Sequence, residues 1–341
     1  VAKGKVGRAS TGDSPAEARR SEKAKKLAQV PLPEAWEAYK AHRLAHADER
    51  RKRAVRFEEW TWGKHVQKTF ADRIVDSLTR ADVARWFVDL TAKSGPVAAN
   101  RARALLSGIL TFWAGQVDVG ILNPCREVRP NREKSRERYL SAGELRAWWR
   151  AVLTTPEEDS RELLAILTLT AARQGTLRAM CWEELDWQAK SWRIPGEKMK
   201  AGRECVLPLN APAFGVLQAR WERLRRPDKG CIFPLPDGQP RRELREPFND
   251  TRDEAGISDF TPHDCRRTAA TAAAEAGVDS AIVAALLGHV DKTVLGRYRK
   301  VTPSAAATAS ERMAAALLKP AGLEPGDFAK GLPAAELMRQ E

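Results

Sequence analysis

Residues 129–138 read Arg-Pro-Asn-Arg-Glu-Lys-Ser-Arg-Glu-Arg and contain no apolar side chain apart from Pro130. Ten residues of this kind cannot run through a core, because each buried charge would lose its hydration. They divide the 341-residue chain into two parts that must each close a core of their own. The division gives a basic arm over 1–30, an N-terminal domain over 31–128 and a linker over 129–140. A larger domain over 141–318 and a tail over 319–341 follow.

Hydrophobic periodicity makes the fold mainly α. Trp36 and Tyr39 share one face of a first helix, and a second helix runs from Glu49 to about Trp62. Thr79-x-x-Asp82 has the form of a helix start ahead of Val83, Trp86, Phe87 and Leu90. After Gly95-Pro96, the residues Ala98, Ala102, Leu105, Ile109 and Phe112 step by four and three, giving a fourth helix. Ser141-x-x-Glu144 opens the second domain ahead of Leu145, Trp148 and Trp149. Further helices are expected at about 160–172, 175–182, 211–226, 241–255, 264–277, 279–287 and 303–318. Two short strands, Ser191 to Ile194 and Cys205 to Leu209, flank a turn with Gly and Lys and form a hairpin. One short helix is expected in the arm, near Pro15 to Ala28, and one helical turn in the tail, around Ala334 to Arg339.

The net charge of +13 is unevenly distributed. Residues 1–140 hold 29 Lys and Arg against 17 Asp and Glu, while the rest of the chain is almost balanced. A polyanion is the partner such a surplus fits, since each neutralised phosphate releases counterions. Arg50, Arg51, Lys52, Arg53 and Arg56 crowd the second helix, and Arg101 and Arg103 lie on the fourth. These seven are the candidate DNA contacts; a solvated helix face is the plainer alternative. The five cysteines are scattered without a Cys-x-x-Cys pair, so neither a disulfide framework nor a zinc site is expected. No run approaches the ~18 apolar residues of a membrane span, and no apolar stretch follows the basic N-terminus. The expectation is a cytoplasmic, nucleoid-associated protein with no membrane partner.

The chemistry lies in an ordered set: Arg173, Lys200, His263-Asp-Cys-Arg266, Leu287-Gly-His289 and, nine residues after that histidine, Tyr298. Each piece alone is weak, and each has an ordinary structural reading. Together they suit attack on a phosphodiester. Two guanidiniums can grip the non-bridging oxygens and offset the charge gained in the transition state. A tyrosine oxygen can attack if an imidazole accepts its proton, and an ammonium on a turn can protonate the leaving oxygen. No phosphate loop or acidic metal cluster is visible, so no cofactor and no metal are expected. Only Tyr39 and Tyr139 compete with Tyr298, and neither lies among the basic clusters.

The joint pattern resembles the tyrosine recombinase (phage integrase) family. Thr170-Ala-Ala-Arg173-Gln-Gly175, Lys200, His263-Asp-Cys-Arg266-Arg-Thr268, Leu287-Gly-His289 and Tyr298 carry the resemblance. It covers 141–318 and, more loosely, 31–128. It implies a four-helix core-binding domain and a mixed α/β catalytic domain with a small hairpin. It also implies Arg173, Lys200, His263, Arg266, His289 and Tyr298 as catalytic residues, Tyr298 being the nucleophile. Cleavage would give a 3′-phosphotyrosyl link and a free 5′ hydroxyl. The expected protein is a site-specific integrase of a prophage or genomic island, with the arm a remnant of an arm-binding region. Its partners would be double-stranded DNA, three further copies in a homotetramer on paired sites, an excisionase and a host DNA-bending protein. The C-terminal segment 303–341 would dock on a neighbouring copy or on its own domain.

Two positions depart from the family's usual residues: Thr176 stands where an acid is common, and Ala171 where Gly is frequent. Lys200 is preferred over Lys198 as proton donor because of the family-like Met199-Lys200 ending. The competing functions are a topoisomerase of the type IB kind and a regulatory or architectural DNA-binding protein with a relic site.

Overall fold

A capping box at Thr79, in which the Thr79 hydroxyl accepts from Asp82 N and the Asp82 carboxylate accepts from Thr79 N, starts the helix the sequence marks there. The protein is seen here as a computed structural model, which describes residues 29–116, 123–199, 202–241, 243–288 and 301–338. The expected arm helix lies outside the described residues. The chain forms two units, residues 1–135 and 136–341, so the division falls inside the charged decapeptide.

The first unit is helical. Helix α1 (Leu32–Leu44) is followed by α2 (Glu49–Thr61), which continues through a π-helical stretch, Trp62–Val66, into a last turn, Gln67–Phe70. Helices α3 (Arg80–Ser94) and α4 (Pro96–Gln116) complete it. The core is unusually aromatic: Trp36 stacks on Trp62 at 5.3 Å, and Phe70 meets Trp86 edge-on at 5.2 Å. The Trp86 indole donates to the carbonyl of His65 inside the π-helical stretch. The buried face of α4 is wider than the sequence stripe, taking in Ala99, Leu106, Leu110 and Trp113, with Ala98 and Phe112 at its margin. The breadth follows from position: α1, α2, α3 and the π-helical stretch all pack on α4.

The charged decapeptide is anchored at both ends. Asn131 exchanges hydrogen bonds with Asn100 and donates to Thr91, all within the first unit. Arg136 pairs with Asp259 and Asp264, and Arg138 with Glu144, all within the second.

In the second unit α5 (Ala142–Thr154) starts at the Ser141/Glu144 capping box, and α6 (Glu158–Thr170) packs against it. A short α7 (Gln174–Arg178) leads to the strands β1 (Leu185–Asp186), β2 (Ser191–Ile194) and β3 (Cys205–Pro208). They form an antiparallel sheet in the order β1-β2-β3, with Trp192 opposite Leu207. The hairpin of the sequence reading thus gains a two-residue edge strand, too short to show an alternation. Helix α7 ends earlier than expected because the chain turns into a β-bridge between Cys181 and Cys231. Helices α8 (Ala211–Arg223), α9 (Arg245–Glu254), α10 (Pro262–Glu275), α11 (Ser280–Leu286) and α12 (Pro303–Leu318) follow.

Both Trp148 and Trp149 are fully buried, and each indole N–H has a partner, Thr168 and the carbonyl of Leu317 respectively. The second of these bonds ties α5 to α12, which packs on its own unit along α10. The tail continues on the same unit: Phe328 is buried against Trp149, and Gly215 leaves room for the Phe328 backbone that a Cβ would strike. Among the described residues no helix is long and apolar enough to cross a membrane.

The Arg138 hydrogen bond and the Ser141 cap hold the Glu144 carboxyl down at about 2, from an ordinary 4.5, against partial burial. A depressed folded-state value stabilises the fold above the unfolded value and is lost as pH falls through the folded one. Thermal melts of Glu144→Gln should show a lower Tm than wild type at neutral pH and a smaller loss of Tm between about pH 5 and pH 2. Equal losses in the two proteins would remove Glu144 as a source of acid sensitivity.

Candidate active site

Helix α6 ends on Ala171, whose φ of 54° and ψ of 15° are left-handed. An alanine there costs roughly 1–2 kcal/mol that glycine would not. The turn sends Arg173 to the N-cap of α7. Helix α10 also starts at a capping box, Thr261 with Asp264, which puts His263 in its first turn and Arg266 one turn further on. The Asp264 carboxylate is buried and also binds Arg136 and Arg267. Burial would push its carboxyl up, but the Thr261 hydrogen bonds and Arg136 bring it below the ordinary value.

Arg266 is 5 % exposed. Its guanidinium donates to the carbonyl of Ala171 at 2.9 Å and to that of Leu287, tying together the ends of α6 and α11. Burial, and then the like charge of Arg173, lower its pKa to about 10. The Arg173 carbonyl accepts from the backbone N–H groups of Thr176 and Leu177, while its guanidinium has no hydrogen bond or ion pair among the described residues. The two line one small pocket of about 20 Å³ together with Thr176, Met199, Cys205 and Gly288. Burial raises the Cys205 thiol, with both guanidiniums opposing. Two cations facing a desolvated pocket make a place where an anion relieves both.

His263 is exposed at the helix start, where partial desolvation, Arg267, Arg266 and Arg173 hold its imidazole below the ordinary value, with Asp264 opposing. It is therefore neutral near pH 7 and able to accept a proton. Lys200, His289 and Tyr298 lie outside the described residues. The chain reaches them from Met199 and Gly288, both of which line the pocket. Gly288 has φ +58°, and a Cβ there would come within 3.0 Å of the Met199 methyl. A cleft of about 630 Å³ opens nearby, lined in part by Gln174, Arg178, Arg245, Arg252 and Thr261. These arginines lack a local motif and are gathered only by the fold. Among the described residues no group of three or more His, Cys, Asp or Glu is placed to hold a metal ion.

The strand preceding Lys200 ends at Ile194, and Gly196–Lys198 is a 3-10 turn. Lys198 accordingly does not project from a continued strand; its ammonium is directed inward to Glu184. Thr176 is buried, and its hydroxyl lies 3.5 Å from the Lys198 carbonyl, a long contact.

In the first unit Arg51, Lys52, Arg53 and Arg56 are exposed on α2; the Arg50 side chain is outside the described ones. Phe57 and Trp60, 47 % and 51 % exposed, stack at 5.7 Å beside them. Lys64 sits over Trp60 at 4.5 Å, and Arg101 over Phe57 at 5.7 Å. Arg103 is turned inward to the carbonyl of Cys125, so it braces the unit rather than its surface.

The pattern of the phage integrase family matches residues 139–305, which hold the whole pocket and all six of the expected catalytic positions. The chain belongs to that family, the tyrosine recombinases. It is 27% identical to the tyrosine recombinase XerC of Staphylococcus aureus over 217 residues, 60% of this chain and 70% of the relative. The fold of this recombinase is similar to that of lambda integrase in a tetramer bound to a Holliday junction. The TM-score is 0.66 at 18% identity, over 86% of this chain and 85% of that one. The Tn1549 transposon integrase in complex with transposon right end DNA gives 0.56 at 18% identity, over 84% and 100%.

Replacing Ala171 by Gly relieves the left-handed strain but loosens the unfolded chain. The expected net gain is about 0.5–1 kcal/mol, read from urea denaturation. A loss of stability would show that the left-handed turn is not strained.

Proposed function

We propose that this recombinase cuts and rejoins double-stranded DNA at specific sites through a 3′-phosphotyrosyl intermediate, integrating or excising a mobile element. The observation that carries the reading is the convergence of Arg173 and Arg266 on one pocket, with His263 inside their field. In the proposed first step the Tyr298 oxygen attacks phosphorus and its proton passes to His263. The bond to the 5′ oxygen breaks, and Lys200 protonates that oxygen as it leaves. Arg173 and Arg266 bind the non-bridging oxygens, and His289 adds a hydrogen bond to the phosphate or to Tyr298. The ester retains the bond energy, so the 5′ hydroxyl of another strand displaces Tyr298 without ATP.

The basic and aromatic surface of the first unit serves as the DNA contact, with Arg51, Lys52, Arg53, Arg56, Phe57, Trp60, Lys64 and Arg101 as its residues. Phosphates pair with the cations, and the exposed rings supply apolar contact to base edges. The 630 Å³ cleft extends phosphate binding beside the catalytic pocket. A homotetramer on paired DNA sites is the proposed working assembly, supported by the likeness to a lambda integrase tetramer bound to a Holliday junction. An excisionase and a host DNA-bending protein are the proposed accessory partners.

Tyr298→Phe should bind a nicked suicide substrate carrying the target site with wild-type affinity and form no covalent adduct on a denaturing gel. A surviving covalent band would move the nucleophile to another residue.

A further inference from the structure

Glu184 is 8 % exposed and receives three donors. The Trp192 indole on β2 and the Cys181 backbone N–H bind one carboxylate oxygen at 3.0 and 3.2 Å, and the Lys198 ammonium binds the other. Lys198 donates in addition to the carbonyl of Ala179 at 2.5 Å and reaches the Cys181 thiol at 3.4 Å. Burial works against this ammonium, but Glu184 outweighs it and holds Lys198 protonated above its ordinary value. The next residue, Met199, is 8 % exposed and lines the pocket with Arg173 and Arg266. Gly196 makes the same turn tight, since a Cβ there would come within 2.8 Å of the Gly202 carbonyl. The turn is thus fastened to the segment following α7 and to β2 immediately before the chain enters Lys200.

We propose that Lys198 is a positioning residue for the cleavage reaction: bound to Glu184, it fixes the Gly196–Met199 turn that sets where residue 200 begins. An ammonium with a buried carboxylate, a carbonyl and a thiol around it has no donor left over for a DNA oxygen, so Lys198 is not itself the proton donor. A buried pair of this kind adds little net stability against apolar residues of the same size, but removing one member leaves an uncompensated charge. Its value here lies in geometry, because displacing a catalytic group by about 1 Å can cost roughly 100-fold in rate. The inference rests on the assignment of Lys200 as general acid.

The test compares cleavage rates at saturating DNA on two suicide substrates, one with the natural 5′-bridging oxygen and one with 5′-bridging sulfur, whose thiolate leaves without a proton. Lys198→Met, Glu184→Gln and the double variant should each slow oxygen-substrate cleavage by about tenfold or more, with DNA affinity unchanged. All three should approach the wild-type rate on the sulfur substrate, as Lys200→Ala should. The double variant leaves no unpaired buried charge and so guards against a fold defect in the single ones. Lys198→Arg should recover part of the oxygen-substrate rate. Wild-type cleavage by Lys198→Met, or slow cleavage of both substrates by Lys198→Met and the double variant while Lys200→Ala is rescued, would overturn the proposal. Unimpaired cleavage by Glu184→Gln would return Lys198 to the list of proton donors. If Lys200→Ala is itself not rescued by sulfur, the general-acid assignment falls, and this inference with it.

Discussion

The buried guanidinium of Arg266 is the contact on which the second unit depends. It binds the carbonyl of Ala171, where α6 stops, and that of Leu287, where α11 stops. One side chain therefore fixes the two helix ends that deliver Arg173 and Gly288 to the pocket. Burying it costs hydration, and Arg173 adds repulsion; its pKa of about 10, well below the usual guanidinium value, records both. In the proposed reaction that unfavourable electrostatics is relieved when a phosphate binds, the pattern of a site that stores its stabilisation for the ligand and the transition state.

The surrounding elements make sense as supports for this arrangement. Capping boxes at Ser141 and Thr261 place α5 and α10, and the second of them uses Asp264, which also holds Arg136 and Arg267. The Glu184 and Lys198 pair does the equivalent for the hairpin side. Buried tryptophans at 148 and 149 carry α5 against α6 and α12, each with its indole satisfied.

Much of this was legible in the sequence because it rests on local signals. Cap motifs at Thr79 and Ser141 marked helix starts, the charged decapeptide marked the division near 135, and Arg173 and Arg266 stood out by order and spacing. What escaped depends on contacts far apart in the chain. The edge strand Leu185–Asp186 is defined only by its pairing with Trp192 and Ser191. The inward turn of Arg103 needs Cys125, and the engagement of Lys198 needs Glu184. A basic side chain looks the same in a sequence whether it faces phosphate or braces a loop. The anchoring of the decapeptide escaped for the same reason, since Asn131 is held by Asn100, 31 positions away, and Arg136 by Asp259, 123 positions away.

In the proposed reaction, paired guanidiniums supply the charge that phosphoryl transfer requires. Arg173 is the cleaner of the two to remove, since Arg266 also holds helix ends together. The most direct measurement is the cleavage rate of Arg173→Ala on a phosphodiester site and on the same site with a neutral methylphosphonate at the scissile position. The deficit should be about 100-fold or more on the phosphodiester and largely disappear on the methylphosphonate, where the charge to be neutralised is absent. An equal deficit on both substrates would show that Arg173 acts by something other than its charge.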